Sequence, residues 1–312
     1  MRSPQSETGG ICHDMGVRIG VVHPGNMGAA LAECVEGQVF WASEGRSQES
    51  AARAREAEIV DLGSLDSMVA SVDVIISVCP PVAAVEVAEQ VSGLGFDGLY
   101  LDVNAVSPAT ARQIGRLFPR FVDGGIVGPP PSSSRASQPA PGDSMQTRGH
   151  HSGGTRLYLS GDEASAVAGL FAGSGVDTQV VGADPGRASA LKMSYAAWTK
   201  GTSALLLSVA ALATSEEVID ELLDEWDMSI PELRERLEQL SARIGEKAWR
   251  FAGEMEEIAR TYGDAGLPDG FHLAAADIYS RLSELKDHQP GQASGEVSDM
   301  LLHKPGEQRI IS

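Results

Sequence analysis

Residues 17–28 read VRIGVVHPGNMG, and the way this stretch folds decides how the rest of the chain is read. Val17, Ile19, Val21 and Val22 are the β-branched residues of a buried strand. A turn holding Gly25 and Gly28 follows, then an apolar helical run over 29–36. Strand, glycine turn and helix in that order make the first unit of a dinucleotide-binding fold. Little bulk at Gly25 lets the backbone approach a pyrophosphate, and small size at Gly28 lets the helix sit close on the strand. The helix N-terminus then turns its free N–H groups toward phosphate. His23 stands where the first glycine of G-x-G-x-x-G would be, so an ordinary strand–turn–helix connection is the alternative. On the nucleotide reading, His23, Pro24, Gly25, Asn26, Met27 and Gly28 line the cofactor.

A chain of 312 residues buries a large core and divides into two domains. Its net charge of −19 speaks against nucleic acid or an anionic membrane as main partner, because both need a basic face. Cys12, Cys34 and Cys79 lie far apart without metal spacing, which suits a reducing cytosol. The polar residues 1–16 read as a loose tail without the apolar segment of a signal peptide. The apolar run 204–213 is too short to cross a bilayer. The expectation is a soluble, cytoplasmic protein with no metal.

Residues 38–42 (QVFWA) form a second strand and 43–47 (SEGRS) its loop. An acid at the end of this strand binds adenine ribose hydroxyls, whereas an arginine accommodates a 2′-phosphate. The strand ends in Trp41-Ala42, and Ser43, Arg46 and Ser47 offer phosphate donors, with Glu44 opposing them. The loop favours NADP(H) over NAD(H). Residues 73–78 (DVIISV) are a continuous buried strand whose end, Val78, Cys79 and Pro80, lines the cofactor at the ligand edge of a parallel sheet. Cys79 is a packing residue, with no base near it in sequence. Asn104 closes the strand 98–103 and either contacts the nicotinamide ribose or forms the turn. A strand at 121–127 leads into GPPP, and 132–154, poor in apolar residues, is a disordered or mobile loop. His150-His151 lies in that loop without a second set of metal ligands.

Asp184-Pro185-Gly186 signals a helix start, and a single long helix runs to about residue 213. Ala188, Leu191, Tyr195, Trp198, Thr202, Leu205, Val209 and Leu212 recur at spacings of three and four, a packed stripe. Lys192 and Lys200 lie eight apart, about 12 Å at helical rise, on a neighbouring face. Either both snorkel or pair with acids, or one is a proton donor whose ammonium desolvation brings toward neutrality. The remainder to 287 is helical and acidic, and the tail after Gln289 is polar and loose. The fold class is α/β: a Rossmann-like dinucleotide-binding domain over 17–184, then an all-α domain over 185–289 between flexible ends at 1–16 and 290–312. Apolar helix faces in excess of one domain's needs imply a homodimer through the helical domain.

In this arrangement the chain resembles the β-hydroxyacid dehydrogenase superfamily, which includes 3-hydroxyisobutyrate dehydrogenase and, more distantly, imine reductases. It is most similar to the 6-phosphogluconate dehydrogenase-like NAD-binding proteins with their own C-terminal domain. The landmarks are VVHPGNMG at 21–28, WASEGRS at 41–47, LDVNAVSPAT at 101–110, FVDGGIVGPPP at 121–131, LYLSG at 157–161 and ASALKMSYAAWTKG at 188–201. The resemblance implies hydride transfer with a nicotinamide cofactor to a small-molecule substrate held between the two domains. The superfamily's G-x-G-x-x-x-K-x-x-x-N motif falls on Gly186, Ala188, Lys192 and Ala196, so Lys192 is the implied acid/base while the second glycine and the asparagine are lost. Its substrate-carboxylate loop falls on 123–129, with Val127 in the serine's place.

The resulting expectation is an NADP(H)-dependent oxidoreductase acting on a C–OH/C=O pair. Lys192 exchanges the proton, and Gly125, Val127, Gly128, Tyr195, Trp198 and Lys200 shape the substrate pocket. Two alternatives stay open: an imine reductase, suggested by the missing serine and asparagine, and a non-catalytic NADP(H)-sensing protein.

Overall fold

The computed structural model describes residues 16–131, 154–287 and 293–302. The expected tails and the expected loop with its histidine pair fall largely outside the described residues. The order is β1 (Arg18–Val21), α1 (Asn26–Ala32), β2 (Gln38–Trp41), α2 (Gln48–Glu56), β3 (Val60–Asp61), α3 (Leu65–Val69), β4 (Val74–Ser77), α4 (Ala84–Gly93), β5 (Leu99–Asp102) and α5 (Pro108–Gly115). Then come β6 (Arg120–Val127), β7 (Thr155–Ser160), α6 (Ala164–Leu170), β8 (Val176–Gly182) and the long α7 (Arg187–Ser215). Five further helices close the described chain: α8 (Ile219–Ser229), α9 (Glu232–Arg243), α10 (Ala248–Asp264), α11 (Gly270–Arg281) and α12 (Ser294–Leu302).

The eight strands form one sheet in the order β3-β2-β1-β4-β5-β6-β7-β8. The first six are parallel, β7 runs antiparallel to β6, and β8 is parallel to β7. The strand order reverses at β1, whose neighbours are β2 and β4, and such a switch point opens a crevice beyond the strand ends. Both sheet faces are covered, as a parallel sheet requires. Ile76 and Leu101 point into one cluster with Ile19, Leu31 and Leu159, while their neighbours Ile75 and Tyr100 point into the other with Met68, Val91 and Ile114. That alternation is the period-two geometry of a strand buried on both sides.

A third core belongs to the helices and gathers Met193, Leu207, Leu240, Ile258 and Tyr279 around α7. By length and composition alone α7 as a whole, longer than its apolar run 204–213, is long and apolar enough to cross a bilayer. Its apolar window is 56% buried within the fold, and it packs against β6, α10, α11 and α12. Two expectations are corrected here. Beyond Gln289, Ser294–Leu302 is a helix that buries Val297 and Leu301 in the third core, because its apolar residues find a face of α7 to cover. The stripe on α7 is not packed as a whole: Trp198, Leu205 and Leu212 are 69%, 48% and 62% exposed. The small residues Ala196, Ala197, Ala204 and Ala211 form the buried face instead, since they let neighbouring helices approach closely.

Candidate functional site

The glycine turn sits at the end of β1, beside the end of β4. A Cβ on Gly28 would lie 2.3 Å from the carbonyl oxygen of His23, so α1 can start there only without a side chain. A Cβ on Gly25 would meet open space, which leaves the turn accessible. No side chain caps α1, and its first turn holds no acid to compete with an anion. These residues fit a dinucleotide pyrophosphate.

The structure brings His23 and Arg46 together: a guanidinium N–H of Arg46 meets His23 Nε2. Arginine only donates, so Nε2 accepts and the imidazole proton resides on Nδ1. Burial first, and the Arg46 charge second, bring His23 down to about 4, which keeps it neutral at physiological pH. His23 Nδ1 and Arg46 Nε are both buried without an acceptor. Two donors lacking acceptors beside the turn suit a group that only accepts, such as a phosphate. Ser43 and Ser47 are engaged otherwise. Ser43 donates its N–H to the Asp61 carboxylate at 3.2 Å, and Ser47 caps α2 by accepting from the N–H of Ser50.

At the ends of β4 and β5, Val78, Cys79 and Asn104 adjoin one another. Asn104 Oδ1 accepts from the Cys79 N–H at 2.5 Å, and its Nδ2 donates to Ser77 Oγ and Asp102 Oδ2, each at 3.0 Å. The Asn104 side chain thus ties the two strand ends. Burial pushes the Cys79 thiol up to about 12, with Asp102 adding to the rise, so it is a thiol rather than a thiolate.

On the other side of the sheet's ligand edge, β6 grips the start of α7. The buried Asp123 carboxylate accepts from the N–H groups of Gly186 and Ser189 and from the hydroxyls of Ser160 and Ser189. A carboxylate there suits the positive end of a helix. Two residues on, a Cβ at Gly125 would lie 2.7 Å from the Ala188 carbonyl oxygen and 3.0 Å from Lys192 Cβ. The glycine therefore lets α7 lie directly on β6, which is what brings Lys192 to the sheet edge. Lys192 Nζ donates to the Ile126 carbonyl at 2.6 Å. Burial, then the Lys200 ammonium, bring this amine down from 10.5 to about 8 against an upward pull from Glu254. An amine near neutrality can both give and take a proton.

Of the other expected pocket residues, Gly125 and Val127 are buried in packing, Tyr195 is partly buried, Gly128 is half-buried at φ +121°, and Trp198 faces outward. Lys200 is held in an ion pair with Glu254 of α10 at 2.5 Å, their side chains 13% and 8% exposed. Sequence reading missed Glu254, and it missed the buried Glu257, which accepts from the Ser107 N–H at 2.6 Å and so joins α10 to the start of α5. The available signal was a pair of acids three apart among the buried apolar positions of GEMEEIA, residues 253–259. A cavity of about 540 Å³ between α5 and the start of α7, lined by Arg112, Arg116 and Arg187 among others, shares no residue with this site.

Residues 213–282 match a family model described as a domain of unknown function, DUF1932. A protein of Methanothermus fervidus, named only as an uncharacterized 28.5 kDa protein in the 7S RNA 5′ region, is 28% identical over 212 residues. The match covers 67% of this chain and 75% of that protein. Among solved structures, the conserved protein MTH1747 of unknown function, described as structurally similar to 3-hydroxyacid dehydrogenases, is 26% identical with a TM-score of 0.58. That likeness covers 86% of this chain and 98% of that one. A Mycobacterium tuberculosis 3-hydroxyisobutyrate dehydrogenase, solved with L-serine, has a TM-score of 0.60 at 17% identity over 92% of this chain and 99% of that one.

Proposed function

We propose that this chain, which has the architecture of the β-hydroxyacid dehydrogenase superfamily, is an NADP(H)-dependent oxidoreductase acting on a C–OH/C=O pair. The observation that carries this reading is the Lys192 amine, partly buried at the sheet's ligand edge and brought down to about 8. The nicotinamide, when bound, supplies the hydride chemistry. The turn at 25–28 would hold the pyrophosphate, and Arg46 with His23 would hold the 2′-phosphate through their unsatisfied N–H groups. Lys192 Nζ would give its proton to the substrate oxygen in reduction and take it back in oxidation. Replacing Lys192 by alanine should abolish turnover while NADPH affinity stays close to that of the parent. Unchanged turnover removes Lys192 as the acid.

Val127 and Ala196 favour a second reading. Both are buried, 2% and 1% exposed, and offer no hydroxyl or amide to a substrate carboxylate. Cyclic imines assayed beside small hydroxy acids and ketones discriminate the two. NADPH that binds but is not oxidised across that panel would mark a cofactor sensor instead. The outward Trp198, Leu205 and Leu212, seven residues apart along α7, support a homodimer through the helical domain, which sedimentation of the Leu205→Glu variant tests.

A further inference from the structure

Two lysines on one apolar helix meet different fates. The chain has only five lysines, and α7 carries Lys192 and Lys200. The Lys192 amine has a neutral carbonyl oxygen as its hydrogen-bond partner and, among the described residues, no carboxylate within ion-pair distance. Lys200 does have one. Glu254 Oε2 receives its Nζ at 2.5 Å, and Oε1 faces Arg250 Nε at 3.6 Å from the solvent side. The pair is held from several directions: the Phe251 ring lies under the Lys200 amine at 4.9 Å, and the Tyr279 hydroxyl of α11 donates to the Lys200 carbonyl at 2.8 Å. The other acids packed near α7 are spoken for. Asp123 of β6 is turned into the first turn of α7, and Glu257 of α10 into the start of α5 with Arg260 alongside.

We propose that Lys200 is a positioning residue: by occupying Glu254 it keeps that carboxylate from pairing with Lys192, so that the Lys192 amine remains free to exchange its proton. The charges agree in direction. Burial, then Lys200 and, more weakly, Arg250 pull Lys192 down, while Glu254 pulls it up by less, leaving it at about 8. Burial pushes the Glu254 carboxyl up, but Lys200 and then Lys192 more than offset this, so it stays ionised below the ordinary glutamate range. Without Lys200 both changes act on Lys192 with one sign. A repelling ammonium disappears, and the buried carboxylate loses its nearer cation, keeps only the half-exposed Arg250 at 3.6 Å, and so attracts Lys192 more strongly. The proposal rests on Lys192 being the acid/base, but its test needs neither cofactor nor substrate.

The test is a pH titration of the full chain labelled with ¹³C at lysine Cε, whose five signals are few enough to resolve, with Lys192 assigned by its loss in Lys192→Arg. The parent should titrate near 8. Lys200→Met should raise the Lys192 midpoint by about one unit or more. Lys200→Arg, which keeps a cation on Glu254, should hold it near the parent value. The double variant Lys200→Met/Glu254→Gln removes the whole neutral pair and should also return it to within about half a unit of the parent. That double variant leaves no unpaired buried charge and controls for loss of the pair itself. Should Lys200→Met not fold, Lys200→Gln, which keeps a donor but no cation on Glu254, carries the same expectation and the same refutation. An unmoved midpoint in Lys200→Met, or a shift of a unit or more in the double variant, overturns the proposal. A parent midpoint at the ordinary lysine value would instead remove Lys192 as a tuned acid, whatever the variants do.

Discussion

Removing the carboxylate of Asp123 should loosen the whole start of α7. The side chain is fully buried and accepts four hydrogen bonds: 2.9 Å from the Gly186 N–H, 3.0 Å from the Ser189 N–H, 2.9 Å from the Ser160 hydroxyl and 2.5 Å from the Ser189 hydroxyl. The hydroxyls can turn to other acceptors, and Ser160 already accepts from the Ala188 N–H. The two backbone N–H groups cannot turn. At about 1–3 kcal/mol for each buried donor left without an acceptor, Asp123→Ala should cost about 2–6 kcal/mol. That is a large part of the roughly 5–15 kcal/mol that holds a typical domain together. Asp123→Asn keeps one oxygen for the two N–H groups and lets its amide face the Ser189 hydroxyl, which can accept. What it loses is the charge at the helix N-terminus, about 0.3–2 kcal/mol. Urea unfolding reads both, as a lower midpoint at an unchanged slope. The asparagine variant should lie between the parent and the alanine variant. An alanine variant within about 1 kcal/mol of the parent, below the cost of even two orphaned donors, would refute the view that Asp123 anchors this helix.

Three further outcomes are expected. Gly125→Ala places a Cβ 2.7 Å from the Ala188 carbonyl oxygen; it should push α7 off β6, cost about 1–3 kcal/mol and lower turnover about 100-fold with NADPH affinity kept. Normal turnover would show that the close approach does not set the lysine's position. Arg46→Gln should weaken NADPH binding by about 10–100-fold, the worth of a hydrogen bond to a charged group, and leave NADH nearly unaffected; equal losses for both cofactors would count against the 2′-phosphate reading. Lys192→Met should stabilise the fold. The folded-state midpoint of about 8 lies below the ordinary 10.5, so the charged amine destabilises the folded state fully below pH 8. That cost fades as pH rises from 8 to 10.5, where the folded chain has released its proton and the unfolded chain has not. The variant should gain on the order of 1–3 kcal/mol at pH 6–7, and little by pH 10.5. No gain at pH 6 would mean the amine is not held at a cost.

The glycine turn and the alternation of buried strands were legible because both are local. Val17–Val22 can be read as a strand from β-branched residues alone, and Gly28 is required by a carbonyl only five residues back, that of His23. The same holds for the helix carrying Lys192, whose periodicity lies within one element. Which face of that helix is covered was not legible. The large side chains Trp198, Leu205 and Leu212 give the stronger periodic signal, yet the alanines are buried. Packing of α10, α11 and α12 selects the face that lets backbones come close, and no residue of α7 encodes where those helices arrive.

The site divides along the same line. By itself the sequence determined a strand–glycine turn–helix unit, an arginine loop after the second strand and a lysine on a long helix after the sheet. Only the tertiary structure decided which of two lysines is left without a carboxylate, because Glu254 lies 54 residues from Lys200 in the chain and reaches it through the packing of α10 on α7. It likewise decided that His23, in a glycine's place, meets Arg46 from the next loop. The proton affinity of an amine depends on the charges and the solvent around it. Those are properties of the folded neighbourhood, set by residues that the linear order keeps apart.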